Sequence, residues 1–133
     1  MMMPANPSVT PFPIRRYAAA FVGGALANLC VLFRFLTYHE RNNLPPSTFL
    51  LFAGVCFLVG FGVTFGSVRS RFRIASCVLA GVCVAQMAVI VSDWQKDPTD
   101  HNLFPFELAY LCVAASPAYL GALSSRILAG SKY

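Results

Sequence analysis

Charge is what this chain has least of, and acid above all. Only 11% of its 133 residues are Asp, Glu, Lys or Arg, and the acids number five, Glu40, Asp93, Asp97, Asp100 and Glu107. Soluble domains carry about 25% charged residues, so too little polar side chain is present to cover a water-facing surface. A mean hydropathy of +0.64 makes lipid the expected solvent. The net charge of +5 does not point to nucleic acid. Such binding needs basic residues gathered on one face of a soluble fold, and here they sit at the ends of apolar runs, where they direct membrane insertion.

Motifs are also missing. No GxxxxGK[ST], strand-to-helix GxGxxG, GxSxG, HExxH or EF-hand loop occurs. The one Asn-x-Ser/Thr match, Asn6-Pro7-Ser8, is spoiled by its proline. None of the cysteines (Cys30, Cys56, Cys77, Cys83, Cys112) belongs to a CxxC pair, and all lie inside apolar runs. That placement fits small buried packing residues better than a disulfide scaffold or thiolate metal ligands. No cofactor is expected. A b-type haem takes axial histidines from facing helices, whereas His39 and His101 both fall outside the apolar runs.

What is present is four long apolar segments, over about 17–38, 49–68, 74–94 and 103–127. Each is about 19 to 25 residues, enough to cross a hydrocarbon core of about 30 Å as a helix. Helix is required because backbone polar groups in lipid must be satisfied within the segment. No period-two alternation suggests a barrel. A proline-rich tail (1–16) precedes this domain (17–128), and a short basic tail (129–133) follows it. Ala25-Leu26-Ala27 resembles a signal-peptide cleavage site, but the apolar run exceeds the 7–15 residues of a signal core, and Arg15-Arg16 resembles a twin-arginine export signal with no folded, soluble cargo behind it. The expected fold is therefore all-α, an integral-membrane up-down four-helix bundle. Asn42-Asn43, Pro45-Pro46 and Asp97-Pro98 mark its turns, with Ser47 or Thr48 and Asn102 as helix caps.

Charge orients it. With four spans, one side holds Arg15, Arg16, Arg69, Arg71, Arg73, Arg126 and Lys132 and no acid; the other holds Arg34, Arg41 and Lys96 with every acid. The positive-inside rule puts both termini in the cytosol, in a plasma (inner) membrane rather than an organellar one. Trp94, Tyr38, Phe104 and Phe106 then fall at the outer interface. Small residues four apart (Ala20, Gly24, Asn28; Gly62, Gly66; Cys77, Gly81, Ala85; Ala114, Ala118, Ala122) predict close helix contacts, and Pro117 predicts a kink.

Candidate chemistry collects at the outer end. Residues 93–107 hold four of the five acids, the sole tryptophan and His101. Arg34 and Glu107 lie level, about one turn below the interface, and an ion pair between them would tie the first span to the fourth; the alternative is that Arg34 snorkels to the headgroups. Asn28 and Gln86, deep in the first and third spans, suit either an interhelical clamp or a polar site for a substrate or quinone. His39 and His101 are weak metal candidates, since they come from different loops. The leading functional expectation is an accessory subunit without catalysis of its own, partnered in the bilayer by another membrane protein or by itself. Its recognition surface would be the outer loop (Asp93, Asp97, Asp100, His101, Asn102, Glu107). The second is a small transporter or channel component with Arg34, Glu107, Gln86 and Asn28 lining a polar path. The third is an outer-interface enzyme using Asp93, His101 and Glu107.

Overall fold

A computed structural model of the chain describes residues 14–34, 36, 38–66, 71–101 and 104–130. Among them the secondary structure is entirely helical, and four helical segments are long and apolar enough to cross a membrane: Ile14–Phe33, Pro46–Thr64, Arg71–Lys96 and Phe104–Ala129. Large apolar side chains such as Leu50, Leu58, Val113 and Ile127 point outward, as lipid-facing positions do. Residues 1–13 of the proline-rich tail, Arg69, the Asn102 cap and Lys132 lie outside the described residues, while Ile14, Arg15 and Arg16 of that tail already belong to the first helix.

The first span is an α-helix, α1 (Ile14–Ala27), continued by a wider π segment (Asn28–Phe33). It ends five residues before the expected 38. The Arg34 amide reaches back five residues to the Leu29 carbonyl (3.0 Å), and Arg34 itself takes a left-handed backbone (φ 43°), which terminates helices. A separate short helix, α2 (Tyr38–Asn42), then occupies the connector.

The second span, α3 (Pro46–Thr64), begins ahead of the expected Ser47/Thr48 cap. Pro45 is its N-cap residue and no side chain caps it. Pro46 explains the shift, because a proline at the first helical position has its φ already set and no N–H to leave unbonded. At the other end, the Arg16 guanidinium donates to the carbonyls of Val63 (3.1 Å) and Phe65 (2.7 Å). A residue that the sequence marks as a topology signal thus also caps a neighbouring helix.

The third span is one continuous helix, α4 (Arg71–Lys96), of 26 residues, or about 39 Å at 1.5 Å per residue. The fourth breaks at Ser116 into α5 (Phe104–Ala115) and α6 (Pro117–Gly130), where Pro117 has no amide to donate. The freed Val113 carbonyl accepts from the Ser116 amide (3.2 Å) and hydroxyl (2.6 Å).

Two intimate pairings organise the spans: first against third, and second against fourth. Both rest on glycines. A Cβ built on Gly24 would lie 2.0 Å from the Val78 carbonyl oxygen, and one on Gly81 would lie 2.0 Å from that of Phe21. Gly60 stands in the same relation to Ala118, and Gly121 to Phe57, each at 2.2 Å. In lipid such close approach supplies the packing that water would otherwise drive. Buried Phe52, Cys56, Ile74, Val78 and Val82 fill the centre.

The expected small-residue face holds for Ala20, Gly24 and Asn28, which are all buried, and for Ala118 and Ala122. It fails for the second span, where Gly62 has nothing near it and the inward residues are Phe52, Cys56, Gly60 and Thr64. Gly60 and Gly62 are two positions apart, about 200° around a helix, so a two-residue error in register selects the opposite face. The deepest polar contact of the second pairing is Thr64 Oγ1 to Ser125 Oγ, 2.8 Å, with both residues fully buried. The cysteines are free: Cys56 is buried, Cys30 is exposed, and Cys83 and Cys112 touch across α4 and α5 with sulfurs 3.5 Å apart.

Candidate functional site: a charged row above a polar-floored cavity

At the end of the molecule carrying α2 and residues 97–101, four charged or titratable side chains stand in a row. α2 is short and polar, and it brings Arg41 against α4, where its guanidinium meets the Asp93 carboxylate. The same guanidinium donates to the Leu36 carbonyl and lies 5.0 Å above the centre of the Phe33 ring, a cation–π position. Next comes His101. Its Nε2 is 2.8 Å from Asp93 Oδ2 and its Nδ1 is 2.6 Å from Glu107 Oε2. The row therefore reads Arg41, Asp93, His101, Glu107 and links α2, α4 and α5.

Local sequence turns His101 inward. Asp97 Oδ1 accepts from both the amide (2.9 Å) and the hydroxyl (2.7 Å) of Thr99, and the Asp100 amide closes on the Asp97 carbonyl (3.2 Å). The two bonds from Thr99, side chain first and backbone second, hold the Asp97 carboxyl below the usual carboxylate range. Trp94 Nε1 donates to the Asp100 carbonyl (2.6 Å) and its ring packs edge-on against Phe104. The chain then reverses at His101, which has φ 58°, uncommon for a residue other than glycine. His101 ends 2% exposed and Asp93 5% exposed.

The chemistry of the row follows from proton count. A neutral imidazole has one N–H and one lone pair. With a carboxylate oxygen at each ring nitrogen, both contacts are hydrogen bonds only if the ring carries two protons or one carboxyl carries one. Bonding at both ring nitrogens thus takes one proton beyond that of the neutral imidazole, carried by the ring or by one carboxyl.

Beneath it lies a cavity of about 140 Å³. Arg41, His101 and Glu107 line its outer part, Asn28 and Gln86 its inner part, and Tyr110 one edge. Leu32, Phe33, Phe49, Val89 and Leu111 supply apolar wall between. Asn28, Leu32 and Phe33 all belong to the π segment, an irregularity found often at functional sites. Asn28 Nδ2 donates to the Val82 carbonyl (3.1 Å) and to Gln86 Oε1 (3.3 Å). A carbonyl can only accept, so the N–H end of the Asn28 amide, not its Oδ1, faces Val82. Its Oδ1 is buried and has no hydrogen-bond partner among the described residues.

The residues expected from sequence distribute unevenly. Asp93, His101 and Glu107 come together, and so do Asn28 and Gln86. The expected Arg34–Glu107 ion pair does not form: Arg34 is exposed and Glu107 is taken by His101. The reason is placement, since the first span packs on the second and third and the fourth packs on those same two. Asp97 is exposed and Asp100 half-buried, both in the turn. His39 is exposed, and among the described residues no group of three His, Cys, Asp or Glu is arranged to hold a metal. Among the described residues no Ser, Thr or Cys lines the cavity, so the row has no hydroxyl or thiol nucleophile beside it there. Arg41, which the sequence offered only as a topology signal, joins the row through Asp93. Comparison with protein-family models, with curated proteins and with solved structures finds no match.

Proposed function

We propose that the chain is a four-span, up-down protein of the plasma (inner) membrane with both termini cytosolic, acting as a small transporter component whose outer half holds a substrate chamber. The observation that carries this reading is the cavity running from Arg41, His101 and Glu107 down to Asn28 and Gln86. Below those amides the core is apolar and filled, as in a carrier closed toward one side. Support for the up-down course comes from residue pairs that rise together along the second and fourth spans: Phe49 with Tyr110, Gly60 with Ala118, Thr64 with Ser125. Support for orientation comes from the acid-free basic clusters at the opposite end.

Of the residues expected to line such a path, Asn28, Gln86 and Glu107 remain and Arg34 is dropped. A recognition surface on the outer loop retains Asp97 and Asp100, because Asp93 and His101 turn inward.

Two measurements test the proposal. Reporter fusions should place residue 100 outside the cytosol. With the native cysteines replaced, Gln86→Cys should react with a small membrane-impermeant thiol reagent added from that same side. A cytosolic residue 100 would sink the orientation, and an unreactive Cys at 86 would sink the chamber.

A further inference from the structure

Resting on the reading of the cavity as a binding chamber, we infer that its occupant is an uncharged, lipid-soluble alcohol or phenol, held by its hydroxyl against Asn28. Three features of the cavity define that class.

The first is what the floor lacks. Both Asn28 N–H groups are used, on Val82 and Gln86, while Oδ1 is buried, 1% of the residue being exposed, and without a partner. A buried polar atom costs free energy until it is bonded. The missing group is therefore a donor, O–H or N–H. Gln86, whose Oε1 already accepts from Asn28, offers its remaining amide N–H groups to the oxygen of the same hydroxyl.

The second is charge. The ionic groups that reach the cavity already face partners: Arg41 meets Asp93, and Glu107 meets His101. A charged ligand would have to break one of these pairs in a site walled by Leu32, Phe33, Phe49, Val89 and Leu111, where an unpaired charge is costly. A neutral ligand leaves them intact and covers the apolar wall.

The third is the way in. Tyr110 lines the cavity yet is 54% exposed on the outer surface of α5, within the fourth span. The cavity thus has an edge on the bilayer, from which a membrane-dissolved molecule enters sideways, hydroxyl first.

The test uses the full chain in lipid nanodiscs, with 4-heptylphenol as probe, its methyl ether 4-heptylanisole as the donor-free control and heptylamine as the cationic one. Binding is read by titration calorimetry with empty nanodiscs subtracted. The phenol should bind saturably, with the ether about tenfold weaker, the scale of one buried hydrogen bond. Asn28→Leu should abolish the difference and Asn28→Asp should keep it. An ether that binds as well as the phenol overturns the inference, as does an amine that binds more tightly; this comparison uses the unchanged chain and stands even if the Asn28 variants fail to fold. If none of the three binds while a Cys at 86 reacts with the aqueous thiol reagent, the hydroxyl inference falls and the chamber survives. If the Cys at 86 is also silent, both fall.

Discussion

His101 Nδ1 lies 2.6 Å from Glu107 Oε2, and the imidazole so held closes the N-terminal end of α5 onto α4 through Asp93. The two carboxylates are not equivalent, because the Asp93 side chain is 7% exposed and that of Glu107 28%. That inequality sets the order of effects when the row is cut.

Replacing His101 by Asn keeps a residue that tolerates the left-handed backbone and removes the bridge. Asp93 is left with one charged partner, Arg41, in a buried place, and the cost should be about 1–3 kcal/mol. Glu107→Gln, at the more exposed end and still able to accept from Nδ1–H, should cost about 1 kcal/mol or less. Thermal melts in detergent, monitored by size-exclusion chromatography, would show His101→Asn well below Glu107→Gln. Equal melting points would contradict the row as drawn.

Glycine positions should split into two classes. Alanine at Gly24, Gly60, Gly81 or Gly121 drives a Cβ to 2.0–2.2 Å from a backbone oxygen that cannot rotate away, so each should destabilise by about 1–3 kcal/mol or more. Gly54 and Gly62 have open space around them, and alanine there should be neutral or raise stability by up to about 1 kcal/mol. The same melting assay decides, and a large loss at Gly62 would mean that the second span is rotated.

Across α4 and α5, copper-phenanthroline oxidation should join Cys83 to Cys112, whose sulfurs already touch at 3.5 Å. Peptide mass spectrometry should find that crosslink in preference to any involving Cys30, which is exposed on the first span. Recovery of a Cys30–Cys112 link within one chain would contradict the placement of the first and fourth spans.

In the outer turn, Asp97 titrates below the usual carboxylate range because of Thr99. A carboxyl whose folded pKa is lowered contributes stability that is complete above its unfolded value, about 3.9, and is lost as pH falls through the folded value. The Thr99 amide bond survives in Thr99→Ala, so that variant should move the Asp97 pKa part of the way back up. Carbon-detected NMR titration of the carboxyl would register the change, and an unmoved midpoint would mean that the hydroxyl is not the main cause. Asp97 is fully exposed, so the effect on global stability should be small.

The four apolar segments were legible in the sequence because membrane thickness sets both a length and a composition, and no other element satisfies both. The Pro117 break and the Gly24 and Gly81 faces were legible for local reasons, a missing amide and a missing Cβ. The site was legible only in part. Asp93, His101 and Glu107 could be grouped because fifteen positions of chain contain all three, and residues so close in sequence stay close in space. Arg41 could not be joined to them: it is 52 residues from Asp93, and no pattern in a single sequence records which connector folds over which loop. The π segment was hidden as well, since its residues are as apolar as any α-helical run. The Arg34–Glu107 expectation failed on the same point. Equal depth in the bilayer says nothing about which corner of a bundle a helix occupies.

The alternation of the two glycine seams has a consequence for how the chain is made. Each seam joins partners that leave the ribosome with another span between them, so the hairpin of the first two spans contains neither seam, and the hairpin of the last two contains neither. A nascent chain halted after its third span would present the Gly60 notch to lipid with nothing to fill it. Assembly therefore ends with the arrival of the last span, the one that also delivers Glu107 to His101, so the charged row is completed only in a chain whose fourth helix is in place.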